Sequence, residues 1–91
     1  MDNAASRLID DGIVVGQALS GCPVAVAAVS QMGGQKRALA FLVYRAWRRY
    51  PQVLFRAMME GWSVTKVRFE LLKLPAAEIL GPISGETRPT N

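Results

Sequence analysis

The chain has 91 residues, of which 51% are apolar and 20% charged, and it carries a net charge of +4. That is one domain at most, apolar enough to fold, and small enough to bury only about 60–65% of its unfolded surface. It holds no histidine and a single cysteine, which removes imidazole acid–base chemistry, Ser/His and Cys/His nucleophile pairs, an internal disulfide and a four-ligand zinc site.

The charge is segregated. Residues 1–35 set Arg7 against Asp2, Asp10 and Asp11, a net of −2. Residues 36–73 set Lys36, Arg37, Arg45, Arg48, Arg49, Arg56, Lys66, Arg68 and Lys73 against Glu60 and Glu70, a net of +7. Residues 74–91 set Arg88 against Glu78 and Glu86, a net of −1. Between Asp11 and Glu60 there is no negative side chain, a pattern suited to phosphate backbones, anionic lipids or acidic protein surfaces. The acidic start is wrong for a cleaved signal or transit peptide, and a lone cysteine fits a reducing compartment, so a cytoplasmic location is expected.

In chain order, residues 4–20 read as a helix. Ala5, Leu8, Ile9, Gly12, Ile13, Gly16 and Leu19 recur at intervals of three and four, one stripe of an α-helix. Asp2 or Asn3 can cap its start and Gly21 suits its end. Gly12 and Gly16 in the stripe would let another backbone come close. Cys22-Pro23 breaks the chain. The short apolar run 23–32 has valines that favour strand and alanines that favour helix; helix is expected, ended by Gly33-Gly34. Cys22 is expected in the core.

Residues 36–50 form the clearest helix. Leu39, Val43, Ala46, Trp47 and Tyr50 make one face, and Arg37, Phe41, Tyr44, Arg45 and Arg48 the other. Residues 51–60 are nearly all apolar, so a helix there should be central to the core, with Gly61 as its stop. Met58 and Met59 should fill the core or pack an interface, and Trp47 and Trp62 should anchor it. Residues 63–74 admit two readings. Val64, Val67, Leu71 and Leu74 are a helical stripe behind a Ser63 cap, whereas Val67 to Leu71 alternates as a strand would; helix is favoured. The expected fold is all-α, a small bundle of four to five short helices over residues 1–80, with a flexible tail at 81–91 rich in Gly, Pro, Ser and Thr.

Two patterns bear on function. At about 100° per residue, Lys36, Arg37, Arg45, Arg48 and Arg49 share one side of their helix with Phe41 and Tyr44 among them, an arrangement in which guanidinium groups take phosphates and rings take bases. Its plainer reading is a solvated helix face. Residues 53–72 also resemble a helix-turn-helix motif: Ala57, Gly61 and Val67 occupy its small, glycine and aliphatic positions. Ser63, Thr65, Lys66 and Arg68 would then open the recognition helix. Arg56, Glu60 and Glu70 depart from the motif, and the plainer reading is two core helices joined by a glycine turn. Gly33-Gly34 ahead of Lys36 could hold an anion at a helix start, although it lacks the spacing of a phosphate-binding loop.

Carboxylates are sparse, and Asp10 and Asp11 are adjacent, so on a helix they diverge. The expectation is a regulatory binding protein and not an enzyme, with no cofactor and no metal. The leading partner is nucleic acid, met by Lys36, Arg37, Arg45, Arg48, Arg49, Thr65, Lys66 and Arg68. The alternatives are a protein-interaction or inhibitor module docking the same surface on an acidic partner, and a small membrane protein spanning residues 12–29, a stretch without charge near the lower length limit for a span. A homodimer would complete a core of this size.

Overall fold

The computed structural model describes residues 3–75 and Ile79. Among these, five helices follow in order: α1 (Ala4–Leu19), α2 (Pro23–Ser30), α3 (Gly34–Arg49), α4 (Pro51–Glu60) and α5 (Val64–Leu72), with no strand. The fold is all-α. The tail expected at 81–91 lies outside the described residues.

Local chemistry accounts for the boundaries. Asn3 caps α1: its Oδ1 accepts the Ser6 N–H at 2.8 Å, while its Nδ2 donates to the Met58 carbonyl at 3.2 Å. Gly21, at φ 95°, turns the chain back after α1, and Pro23 occupies the first position of α2, where its missing N–H costs nothing. Pro51 opens α4 in the same way. Gly61 closes α4 in the left-handed conformation, φ 68° and ψ 41°, which a side chain would strain. Ser63 Oγ then accepts the Lys66 N–H at 3.1 Å and starts α5, so residues 63–74 take the helical of their two readings.

The centre of the fold is the crossing of α1 and α3. A Cβ on Gly12 would lie 3.0 Å from Val43 Cγ1 and 3.2 Å from the Tyr44 backbone nitrogen, and one on Gly16 would lie 2.9 Å from the Tyr44 ring. Gly12 therefore does what was expected, bringing the α3 backbone close, whereas Gly16 admits the Tyr44 ring and not a backbone. The segment 12–29 is divided between α1 and α2. Among the described residues no helix is long and apolar enough to cross a membrane.

Two apolar clusters flank the crossing. The larger joins Ala5, Leu8 and Ile9 of α1, Leu39, Val43 and Ala46 of α3, Leu54 and Ala57 of α4, Trp62, Val67 and Leu71, and Ile79. The smaller comprises Val15, Ala40 and Tyr44, with Val29, Met32 and Phe41 packed against it.

Four expectations need correction. Tyr44 does not share a solvated face with the arginines. It is buried, because Gly16 leaves room for its ring against α1. Helix α4 is not central: it buries only Leu54 and Ala57, and Phe55 and Met59 face outward, the latter 85% exposed. A ten-residue helix laid on one side of the bundle has one inner stripe, whatever the composition of the rest. Cys22 is exposed, since it lies in the turn that Gly21 and Pro23 impose. Trp62 is buried as expected, whereas Trp47 is only partly covered and stacks obliquely on Phe55, centroids 5.4 Å apart.

Candidate functional site

Helices α1, α3 and α5 run in the same sense. Asp11 lies by Lys36 and Gly16 by Tyr44, and Ser20 shares a hollow with Arg48. Likewise Arg68 lies by Gln35, and Leu72 by Ala38 and Leu42. The first turns of these three helices consequently converge. Between them is a cavity of about 360 Å³ lined by Ala4, Arg7, Leu8 and Asp11 of α1, Gln35, Lys36 and Leu39 of α3, and Val64 and Arg68 of α5.

The cavity is electropositive for two reasons. Arg7, Lys36 and Arg68 stand on its wall, with Asp11 the one carboxylate in the lining; Lys36 Nζ and Asp11 Oδ2 are 4.0 Å apart. The helix starts add partial positive charge, and neither α1, α3 nor α5 carries an acidic residue in its first turn. Gly33, the residue before α3, provides no side-chain cap. In the turn after α2, Arg37 donates to the Met32 carbonyl at 2.9 Å, and Asn3 donates to the Met58 carbonyl in the last turn of α4.

The residues predicted from sequence fall into three groups. Lys36 and Arg68 share the cavity, whereas Arg37 is not part of its lining and donates to the Met32 carbonyl. Arg45, Arg48 and Arg49 lie about 13–20 Å further along α3, at 1.5 Å per residue. There Arg45 borders an apolar groove with Phe41, Leu42, Leu71 and Ile79. Arg48 donates to the Tyr44 hydroxyl at 3.2 Å and lies 5.9 Å from that ring. Thr65 and Lys66 occupy another side of α5: Lys66 Nζ sits 5.0 Å from the Trp62 ring and 4.0 Å from Glu70, and Thr65 is exposed. Arg7 was not singled out from sequence. Only the parallel packing of α1 and α3 reveals it, and no local signal marks a lone arginine in an acidic segment.

The α4–turn–α5 unit keeps part of the helix-turn-helix pattern. Ala57, Trp62 and Val67 are buried and Gly61 is left-handed. The inner stripe of α4, however, is Val53, Leu54, Ala57 and Met58, leaving Arg56 and Glu60 outside, paired at 3.4 Å. The outer face of α5 centres on Phe69 and Leu72, 63% and 67% exposed, flanked by Arg68 and Lys73. The Trp62 indole donates to Glu60 Oε1 at 2.8 Å, and this bond, with Arg56 and Lys66 nearby, holds the Glu60 carboxyl below the usual glutamate range against the opposing effect of desolvation.

Among the described residues, no three His, Cys, Asp or Glu side chains are grouped to hold a metal ion. Compared with known proteins, the chain matches no family model, no curated protein sequence and no solved structure.

Proposed function

We propose that this is a small, non-enzymatic regulatory module that binds the phosphate backbone of a nucleic acid in the cytoplasm. One observation carries the reading: Lys36 and Arg68, far apart in the sequence, share with Arg7 a cavity lined by residues from the starts of α1, α3 and α5. Arginine and lysine side chains are the usual holders of phosphate. Arg45, Arg48 and Arg49, further along α3, supply a second set of cations for a neighbouring stretch of the same polyanion. The outer face of α5 offers Phe69 and Leu72 where a base-reading helix would carry polar groups, so binding is led by phosphates and tolerant of sequence.

The test is fluorescence anisotropy with a mixed-sequence duplex at two salt concentrations. Affinity should fall steeply with salt, the log–log slope being about −0.9 per neutralised phosphate. The variant Arg7→Ala/Lys36→Ala/Arg68→Ala should flatten that slope by roughly 2–3, the contribution of up to three phosphates, while Lys66→Ala leaves it nearly unchanged. Absence of binding at low salt by the folded protein would sink the proposal.

A second reading is favoured by one feature, the exposed Phe69 and Leu72 flanked by Arg68 and Lys73. This face suits an amphipathic helix with acidic margins on a partner protein. Under that reading Phe69→Ser/Leu72→Ser abolishes partner binding, and duplex DNA has no effect.

A further inference from the structure

The cavity of Arg7, Lys36 and Arg68 has a neighbouring hollow on either side, and the two differ in charge. Between α3 and α5, one hollow shares Gln35, Leu39 and Arg68 with it and continues along Ala38, Leu42 and Leu72, with a cation and no carboxylate in its lining. It leads on to the groove bordered by Arg45, which shares Ala38, Leu42 and Leu72 with it. The other hollow, bounded by α1, α2 and α3, shares Asp11 and Lys36 with the cavity. There one carboxylate and one cation, 4.0 Å apart, cancel. The cavity itself sets three cations against that one carboxylate, a net of +2.

A phosphate within a strand and a phosphate at its end make different demands on such a site. An internal diester carries one charge and has nucleotides on both sides, so a strand threaded through the cavity needs two exits. A monoester carries about −1.5 to −2 charge near neutral pH and three acceptor oxygens, and its strand leaves on one side only. The cavity meets the second demand. Its net of +2 matches a dianion, and its three cations stand on three different helices, so they approach one group from three sides. One exit, past Arg68, suits a polyanion and runs toward Arg45; at the other, Asp11 faces the strand with no surplus of positive charge to offset it. At about 360 Å³ the space is near the lower end of ligand pockets, roughly 300–1,000 Å³, and Leu8, Leu39 and Val64 give a terminal sugar an apolar wall.

We infer that this cavity takes the phosphate monoester at the end of a nucleic-acid strand, held between Arg7, Lys36 and Arg68, with the strand leaving between α3 and α5. The inference rests on the phosphate-binding reading and narrows it from any backbone phosphate to a terminal one.

The experiment is fluorescence anisotropy at low salt on one internally labelled duplex, its ends prepared as hydroxyls, as 5′-phosphates or as 3′-phosphates, with the fold followed by circular dichroism. A phosphate on one kind of end should tighten binding about tenfold or more over hydroxyl ends, the worth of one hydrogen bond to a charged group. The 5′ and 3′ arms tell which end is held. Arg7→Gln and Arg68→Gln should each abolish that ratio, whereas Arg49→Gln, at the far end of α3, should weaken all three duplexes alike and preserve it. Asp11→Asn should tighten the hydroxyl-ended duplex and so shrink the ratio, a gain that loss of structure cannot give. Equal binding of the three duplexes with the salt dependence intact overturns the inference and leaves the broader phosphate reading standing. No binding of any duplex removes both. Adenosine 5′-monophosphate binding as tightly as the phosphate-ended duplex overturns it in favour of a free nucleotide.

Discussion

The two apolar clusters on either side of the Gly12 crossing are built by the same pair of helices and differ in how they are closed. Along the Leu39–Val43–Ala46 stripe of α3, the large cluster is roofed by α4, α5 and Ile79, and Leu54 and Val67 have no exposed surface. Along the adjoining Ala40–Tyr44 stripe, the small cluster, completed by Val15, has only Val29, Met32 and Phe41 over it. Burial depends less on how apolar a helix is than on how many neighbours converge on it. Helix α2 is uncharged and almost wholly apolar but buries one residue. Helix α3 carries five cations among its sixteen residues and buries five side chains.

Substitutions can break this contrast in graded steps. Leu54→Ala opens a void in the fully buried cluster and should cost about 2–5 kcal/mol. Chemical denaturation reads the loss, and amide exchange should accelerate in α1, α3, α4 and α5 together. Gly12→Ala places a methyl 3.2 Å from the backbone of Tyr44, which cannot swing aside as a side chain would. Its net cost is about 1–3 kcal/mol of overpacking, partly offset by the better helix propensity of alanine, and it should loosen both clusters because it acts on their shared seam. Val29→Ala touches the small cluster alone. A loss of about 1 kcal/mol confined to exchange in α2 would sharpen the contrast, and a loss felt equally in α5 would refute it.

The smallest effect concerns pH. The Trp62 indole stabilises the charged form of Glu60, so the folded state binds its proton less readily than the unfolded chain does. That contribution is present above the unfolded carboxyl's titration and fades as pH falls through the lowered folded value. Because Glu60 is exposed, salt should weaken it further. An NMR titration should find the Glu60 carboxyl below ordinary glutamate, and Trp62→Phe should move it back up.

Much of the helix order is legible in the sequence, because capping and breaking residues act locally. Asn3, Gly21, Pro23, Pro51, Gly61 and Ser63 mark boundaries by chemistry that needs no tertiary partner. What periodicity does not encode is which stripe meets a neighbour. Tyr44 falls on the arginine side of a helical wheel, and only the gap above Gly16 draws it inward. The apolar stretch 51–60 reads as core until α4 is seen to have one covered side. The cationic cavity was half legible: Lys36 and Arg68 stand out within a basic segment, but Arg7 joins them through the parallel sense of α1 and α3, a relation between distant segments.

The Asn3–Met58 hydrogen bond joins residues 55 positions apart, and it sets the order in which this fold can be completed. As the chain leaves the ribosome, α1 and α2 have only each other and then α3 to rest on. The large cluster stays open until Leu54, Val67 and Leu71 have been synthesised. Local helices form within microseconds, but closing so long a loop is a late step whose entropic cost must be met before its contacts reward it. Helix α1, made before α4 and α5, is thus among the last to be locked, and its exposed apolar stripe is what a chaperone, or a second nascent copy, would encounter in the interval.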